Sequence, residues 1–333
     1  NTAVGQNALN ANTTASNNSA FGQSALAANT TASSNTGIGY AALSANTTGT
    51  ENTACGKGAL ANQTTADYNT AFGTNAGNAI TTGDHNTAIG KGAMDANTVG
   101  DRNTALGSNA LTSYNPSSNE DGYNTALGMN AMFTNTTGNN NTAVGGKALE
   151  DNTTGNHNAA VGSFAMDANT TGTGNVAVGS YALDANTTAS NNTALGYQAL
   201  TENTTGSNNT AVGYNALDNS AESNDNTAIG SYALTSANST ANANVGVGCS
   251  ALAANSTGDN CVAVGYHALL SNTASNNVAV GKGSMDANTT GVNCTAVGTD
   301  SLGANTNGVS NTAVGKGSLG ANTTGQYNSA IGH

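Results

Sequence analysis

Residues that could perform acid–base or nucleophilic chemistry are few in this chain and lie far apart. The four histidines occur in separate segments, and none has a carboxylate or nucleophile at a spacing that suggests a catalytic pair; they are His85, His157, His267 and His333. Gly-Lys-Gly occurs four times, at 56–58, 90–92, 281–283 and 315–317. A phosphate loop needs a longer glycine spacing and a following helix, and both are missing here. We therefore predict no catalysis and no phosphate cofactor.

Metal chemistry is equally weakly indicated. Five aspartates share one place in the repeat described below, and they are Asp95, Asp167, Asp184, Asp218 and Asp286. Asp167 and Asp184 alone fall in successive repeats, where they could share a calcium ion with backbone carbonyls. The glycine-rich pattern typical of calcium-binding β-rolls is absent, so we expect solvated carboxylates and no bound metal.

The four cysteines form no disulfide framework. They are Cys55, Cys249, Cys261 and Cys294, and no Cys-x-x-Cys pair occurs. Cys261 and Cys294 lie two repeats apart, which at sheet spacing is roughly 9–10 Å and too far for a disulfide. Cysteine usage therefore does not indicate a redox compartment.

What positions every side chain is a 17-residue period. Asn-Thr-Ala-Val-Gly opens at Asn1 and recurs with small changes; of the 19 spacings between the 20 starts, 16 are 17 residues long. The starts are residues 1, 18, 35, 52, 69, 86, 103, 124, 141, 158, 175, 192, 209, 226, 244, 261, 277, 294, 311 and 328. Such a period predicts one small unit stacked on copies of itself.

Numbered from its start, each repeat has fixed and variable positions. Position 4 is apolar in all 20 repeats, position 5 is always Gly, position 3 is Ala or Gly, and position 9 is Leu or Met in 18 of 19. Positions 6, 7, 10, 11 and 15–17 vary freely. Turn residues interrupt every stretch before a helix could form. We predict an all-β fold, a parallel β-roll (β-solenoid) of about 20 coils, with strands at 2–4 and from 8.

The small residues lead to the central hypothesis. Positions 2 and 4 share one face of the strand, and positions 3 and 5 share the other. We assign the first face to the coil interior. The second face would then be small because another polypeptide packs flush against it, which predicts association of several chains around a common axis.

Other features complete the expected architecture. Asn at positions 1 and 12 should stack into side-chain amide ladders along the axis. We predict a single rod over residues 1–333, with an exposed loop insertion near 114–123 that contains Pro116. The abrupt ends suggest either a fragment of a longer protein or rods that stack end to end.

Composition limits the partners. The net charge is −12, with six Lys and Arg, so we expect no nucleic-acid partner. The chain contains no stretch of 18 consecutive apolar residues, so we expect no membrane span in this segment.

Two sets of residues could act at the surface. Aromatic side chains at positions 6 and 7 could contact a cell-surface glycan or receptor: Tyr40, Phe164, Tyr181, Tyr197, Tyr214, Tyr232 and Tyr266. Asn-x-Thr triplets could accept N-linked glycans, although a chain rich in Asn and Thr forms such triplets by default: Asn12, Asn29, Asn46, Asn152, Asn169 and Asn186.

The repeat resembles a known family. Segments 175–182 (Asn-Val-Ala-Val-Gly-Ser-Tyr-Ala) and 86–93 (Asn-Thr-Ala-Ile-Gly-Lys-Gly-Ala) are similar to the head repeats of YadA-type trimeric autotransporter adhesins. With Asn-Thr-Thr-Gly added, the repeat also resembles phage tail-fibre shafts and large bacterial surface proteins. The resemblance implies a left-handed parallel β-roll, three chains around one axis, and a fibre or adhesin role. The period of 17 departs from about 14 residues in adhesin heads.

We therefore expect a non-catalytic structural or adhesive fibre shaft that is extracellular, on a cell or virion surface. Two alternatives remain. Thr ladders at positions 13 and 14 could bind ice, although neighbouring strand residues point to opposite sides. The chain could also be a glycosylated extracellular filament.

Overall fold

A computed structural model describes residues 1–236 and 240–333. It contains twenty parallel three-residue strands, one per repeat, so the all-β solenoid prediction is confirmed. The strands are β1 Thr2–Val4, β2 Ser19–Phe21, β3 Thr36–Ile38, β4 Thr53–Cys55, β5 Thr70–Phe72, β6 Thr87–Ile89, β7 Thr104–Leu106, β8 Thr125–Leu127, β9 Thr142–Val144, β10 Ala159–Val161, β11 Val176–Val178, β12 Thr193–Leu195, β13 Thr210–Val212, β14 Thr227–Ile229, β15 Val245–Val247, β16 Val262–Val264, β17 Val278–Val280, β18 Thr295–Val297, β19 Thr312–Val314 and β20 Ser329–Ile331.

The chain folds as two units, Asn1–Thr171 and Gly172–His333. Within each unit, every strand pairs in parallel with the strand one repeat away, always at equal repeat positions. Phe21, for example, pairs with Ile38, and Ile38 pairs with Cys55. The prediction of one continuous rod over residues 1–333 stays a prediction.

The predicted second strand, from position 8, does not form. Positions 7 and 9 have positive φ, as at Ser24 (59°) and Leu26 (51°). Strands require negative φ, so this segment turns instead. It still bonds the next coil, because the Leu26 amide donates to the Ala42 carbonyl at 2.9 Å and the Ala28 amide to the Ser44 carbonyl at 3.1 Å.

The interior of each coil is narrow and apolar. In the coil that begins at Asn18, the buried apolar side chains are Ala20, Ala25, Leu26 and Ala32, at positions 3, 8, 9 and 15. One leucine therefore fills most of the cross-section, and three methyl groups surround it.

The assignment of the strand faces was wrong. The middle residue of each strand from β2 to β19 is buried, and its two neighbours are half-buried or exposed. A Cβ on Gly37, at position 3, would lie 3.3 Å from Cγ of Leu26. The leucine thus leaves room for a methyl group and nothing larger. Position 3 is small because it faces the core, and the large residues at position 4 face outward.

The invariant glycine at position 5 also has an internal cause. Gly22 has φ +132°, where side chains are strained. A Cβ there would lie 2.5 Å from the Gly39 carbonyl oxygen of the next coil. The backbone that lies close to this glycine belongs to the same chain, so glycine conservation along the repeats gives no evidence for a second polypeptide.

Both predicted amide ladders are confirmed. At position 1, the Asn35 amide N–H donates to Oδ1 of Asn18 at 2.8 Å, while Nδ2 of Asn18 donates to the Ala32 carbonyl at 2.8 Å. At position 12, Nδ2 of Asn46 donates to Oδ1 of Asn29 at 3.0 Å and to the Gly49 carbonyl at 2.9 Å. Each asparagine therefore pairs buried backbone groups that would otherwise have no partner.

Positions 15 and 16, predicted to vary freely, are constrained. In the 17-residue repeats position 15 is Ala, Gly or Ser, because a Cβ on Gly49 would already lie 2.6 Å from Oδ1 of Asn46. Position 16 usually carries a side-chain oxygen that accepts an amide N–H from the neighbouring coil. Examples are Asp84, which accepts from Asp67 at 2.7 Å, and Asn224, which accepts from Ser207 at 2.8 Å.

The insertion is only partly exposed, which corrects the prediction for 114–123. Tyr114 takes position 12 and is fully buried, and its hydroxyl donates to Oδ1 of Asn139 at 2.8 Å. Pro116 is buried as well, and residues 117–119 are exposed. A Cβ on Gly100 would lie 2.5 Å from the Tyr114 ring, so that glycine leaves room for the ring.

The two adjacent glycines Gly145 and Gly146 allow a matched test of coil stacking. Gly145 has φ +139°, and a Cβ there would lie 2.6 Å from the Gly162 carbonyl carbon; a Cβ on Gly146 would meet nothing closer than 3.9 Å. We expect Gly145→Ala to lower the free energy of unfolding by about 3 kcal/mol. Gly146→Ala should change it by less than about 1 kcal/mol. Urea unfolding followed by circular dichroism measures both, and equal effects would contradict the stacking argument.

The Asn ladder gives a second prediction. Asn52→Ala removes the acceptor for the Asn69 amide N–H and the donor to the Ala66 carbonyl, both at 2.8 Å. Two buried backbone groups then lack partners, so we expect a loss of about 2–4 kcal/mol of unfolding free energy. The exposed Thr48→Ala is the control. If both variants unfold at the same urea concentration, the ladder contributes nothing.

Candidate interaction surfaces

The strand face, defined as the outward side chains at positions 2 and 4, is a regular surface that repeats along each unit. Its position-4 row in the first unit includes Phe21 at 40% exposure, Phe72 at 43%, Leu106 at 44% and Leu127 at 39%. Equal positions pair from strand to strand, so these side chains form a continuous apolar row. A row of exposed apolar residues of this length is unusual on a protein that meets only water.

No charged residue lies on the strand face. The chain has 24 charged residues, six Lys and Arg and 18 Asp and Glu, and none of them occurs at positions 1–5 of any repeat. The charges lie instead on corners and turns, as with Lys91 at position 6 and Asp84 at position 16. Depletion of charge is characteristic of the core of a protein interface. The lack of charge at positions 1–5 is visible in the sequence, but it does not indicate a surface as long as position 4 is assigned to the interior.

The cysteines divide between this face and other places. Cys55 takes position 4 of β4 and is half-buried on the strand face, whereas Cys249 is exposed at a corner. Cys261 and Cys294 are buried in place of the ladder asparagine, and their thiols donate to the Ala274 carbonyl at 3.1 Å and the Gly308 carbonyl at 3.3 Å. Burial raises the pKa of both thiols.

Four of the seven predicted aromatic contacts come together in the second unit. Tyr181, Tyr197, Tyr214 and Tyr232 lie on the same corner of four successive coils, and we call them the tyrosine ladder. Successive ring centroids are 6.2, 5.8 and 5.2 Å apart, and all four rings are exposed. The middle pair is nearly parallel at 10°, while the outer rings are rotated by 80° and 76° against it.

The other predicted aromatics lie apart from the ladder. Tyr266 stacks on His267 with centroids 3.8 Å apart, and Phe164, in the first unit, lies under the ammonium of Lys147 at 5.6 Å. Tyr40 is 54% exposed. Sequence reasoning missed the stacked pair Tyr68 and His85, which share position 17 in adjacent coils at 4.8 Å. Their equal repeat position could have indicated this contact.

The predicted glycosylation sites lie mostly inside the coil. Asn29, Asn46, Asn152, Asn169 and Asn186 are fully buried members of the position-12 ladder. Nδ2 of Asn152, for example, donates to Oδ1 of Asn135 at 2.9 Å. Only Asn12, in the first coil, is partly exposed. In the folded chain the five buried amides are inaccessible to a modifying enzyme.

Threonines at position 13, one basis of the ice-binding alternative, are engaged in the fold. The Thr47 hydroxyl donates to the Thr64 carbonyl at 3.0 Å, and the Thr64 hydroxyl donates to Thr81 at 3.2 Å. Position 14 is exposed, as at Thr48. A further outward threonine row lies at position 2 of the strand face.

Reactive groups do not converge in the described ranges. Among these residues no group of three or more His, Cys, Asp and Glu could hold a metal ion. A depression of about 350 Å³ is lined by Glu202, Asn219, Ala221, Ser236 and Ser256, with one carboxylate and no histidine. Within 1–236 and 240–333, no helix is long and apolar enough to cross a membrane. The absence of catalysis stays a prediction.

Burial affects several carboxyl groups at position 10 and gives a prediction for pH dependence. It raises the pKa of Asp95, Asp184 and Asp218. A carboxyl with a higher pKa in the native state binds its proton more tightly there, so stability falls as pH rises through that pKa. The protein should therefore unfold at higher urea concentration at about pH 4.5 than at pH 7. Asp184→Asn should reduce this difference, and a lower midpoint on acidification would contradict the argument.

No family model and no curated protein sequence matches this chain.

Proposed function

We propose that this chain is a non-catalytic fibre shaft, in which the strand face packs against other copies of the same chain. The supporting observation is the strand face itself, an apolar row without a single charge in a protein with 24 charged residues. Three copies around one axis is the arrangement that the resemblance to YadA-type repeats implies. An extracellular position, on a cell or virion surface, belongs to the same proposal.

The energetics favour association over many coils. Full burial of a Val or Leu is worth about 1.5–3 kcal/mol, so covering the exposed two-fifths of each position-4 side chain yields about 1 kcal/mol per coil. Association itself costs roughly 4–15 kcal/mol. A few coils therefore cannot hold copies together, whereas the ten coils of one unit supply about 10 kcal/mol from each copy, which is comparable with that cost. Length and strict repetition are properties that a shaft of this kind requires.

Ice binding is the second candidate, and the position-2 threonines favour it more than positions 13 and 14 do. Thr53, Thr70, Thr87, Thr104 and Thr125 lie in register on successive strands of one sheet. The neighbouring position-4 row alternates Cys, Phe, Ile and Leu, which is irregular for a match to a lattice. Thermal hysteresis of the purified chain decides, and its presence in a single-chain species would replace the fibre proposal.

Introducing charge on the strand face tests self-association. Leu106→Glu with Leu127→Glu places two carboxylates on adjacent strands of the first unit. Burying unpaired charges is costly, so we expect light scattering to show a single-chain mass where the unaltered protein is a multimer. The matched control is Thr48→Glu with Thr65→Glu, on exposed turn positions of adjacent coils. A single-chain mass for the unaltered protein, or a multimer for the Leu variant, would contradict the proposal.

Cys55 provides a position-specific test. If strand faces surround a common axis, Cys55 thiols of different copies lie near one another, whereas the corner thiol Cys249 does not take part. We expect a short bis-maleimide to crosslink chains of the Cys249→Ala variant, and not those of Cys55→Ala. Denaturing electrophoresis reads out both variants. Crosslinks that require Cys249 and persist without Cys55 would assign the interface to the corner instead.

A further inference from the structure

The tyrosine ladder is not needed by the fold. Elsewhere the same corner positions hold Gln23, Asn75, Lys91 or Thr299, with the backbone unchanged. Yet of ten tyrosines in the chain, four occupy this corner in four successive coils, and a fifth, Tyr266, follows two coils after Tyr232. Aromatic pairs contribute about 0.5–1.5 kcal/mol each, so some stabilisation of the coil stack is expected. Stability alone does not account for keeping the rings exposed.

At positions 6 and 7, the corner that holds the ladder is polar and uncharged. Each tyrosine shares its corner with a short neutral side chain: Ser180, Gln198, Asn215 or Ser231. The corners from Tyr181 to Tyr232 contain no Lys, Arg, Asp or Glu at positions 6 and 7. One carboxylate lies beside the ladder, because Nδ2 of Asn215 donates to Asp218 at 3.2 Å. Aromatic rings flanked by hydroxyl and amide groups, with a carboxylate nearby, match the chemistry of a neutral sugar better than that of an anion.

The spacing of the rings fits a linear polymer. Centroids 5.2–6.2 Å apart run parallel to the stacking direction of the coils, one ring per coil. This step is close to the length that one hexose adds to an extended β-1,4-linked glycan. The outer rings, Tyr181 and Tyr232, are turned by 80° and 76° against the middle pair, so they present different edges and faces along the corner.

We propose that the tyrosine ladder binds a neutral, extended glycan along the coil axis, one sugar residue per coil. Tyrosine rings contact the apolar C–H faces and edges of successive sugars, and the tyrosine hydroxyls with Gln198 donate and accept hydrogen bonds. Each contact is weak, so affinity depends on several coils engaging together. The inference extends the proposed fibre role by naming an adhesive partner. Its adhesive role rests on the proposed function, whereas the glycan-binding argument uses only the geometry of the ladder.

The test uses the 333-residue chain with cellohexaose and chitohexaose as neutral probes and polygalacturonate as the charged comparison. Calorimetry and affinity electrophoresis measure binding. We expect both neutral probes, or one of them, to bind and the charged polymer to bind more weakly. The double variant Tyr197→Ala with Tyr214→Ala should bind about tenfold or more weakly, given the value of two aromatic contacts. The control Tyr40→Ala with Tyr68→Ala removes two exposed tyrosines outside the ladder and should bind as the unaltered chain does.

A second variant separates binding from folding. Tyr197→Phe with Tyr214→Phe keeps both rings and should retain more affinity than the alanine pair, while circular dichroism confirms that the coils are intact. No binding of either neutral probe, equal binding by the alanine pair, or preference for the charged polymer would each overturn the proposal. Light scattering on the same samples reports self-association independently. A single-chain protein that binds the sugar contradicts the fibre proposal alone. A multimer that does not bind the sugar contradicts the glycan-binding proposal alone.

Discussion

Close axial stacking of the coils is the constraint on which the rest of this structure depends. Consecutive backbones approach so tightly that a methyl group on Gly22 would collide with the Gly39 carbonyl. At that separation, every amide and carbonyl of a turn must find its partner in a neighbouring coil or in a side chain. The asparagines at positions 1 and 12 and the acceptors at position 16 are the side chains that form these hydrogen bonds to the backbone. They supply hydrogen-bond partners to backbone groups of the irregular turns.

The same constraint decides what the surface looks like. A coil of 17 residues with one leucine at its centre has no room for a second large side chain beside it, as the short distance from Gly37 to Leu26 shows. The remaining large apolar residues must therefore point outward. The apolar row on the strand face follows from the narrow core, but the complete lack of charge beside it does not. Solvent-facing strands tolerate Lys and Glu, so their exclusion from all twenty strands has its own cause, and packing against other copies supplies one.

The sequence allowed the fold to be predicted, and the limits of that prediction are physical. The period of 17, the turn residues and the absence of helical spacing were sufficient for a parallel β-solenoid with ladder asparagines. The inward and outward faces were exchanged because alternation identifies two faces without saying which is the core. Side-chain size favoured the wrong face, because the residues at position 4 are larger than those at position 3. Only the position of Leu26 across the coil shows that the Ala side chain at position 3 fits inside. The prediction of a second strand was wrong because Leu26 and its equivalents have positive φ, and a leucine in a sequence does not indicate positive φ.

The local exceptions could have been anticipated from paired changes within one repeat. Gly77 replaces the core leucine in the repeat where Ile80 replaces the position-12 asparagine, and Cδ1 of Ile80 lies 3.0 Å from where a Cβ on Gly77 would be. One apolar side chain thus moves from position 9 to position 12, and the core stays filled.

Positions with a constant residue type and positions with a variable residue type therefore have different roles. Core, ladder and strand-face positions repeat because each coil must fit its neighbours and, on our proposal, other chains. The corners at positions 6 and 7 carry little of that burden and accept Lys, Gly, Asn or Tyr. Recognition that differs from one part of a shaft to another can arise only where the repeat allows difference. The tyrosine ladder occupies such a corner while Cys55 and Phe72 occupy the constant face, so the proposed assembly and the proposed glycan binding depend on different residues.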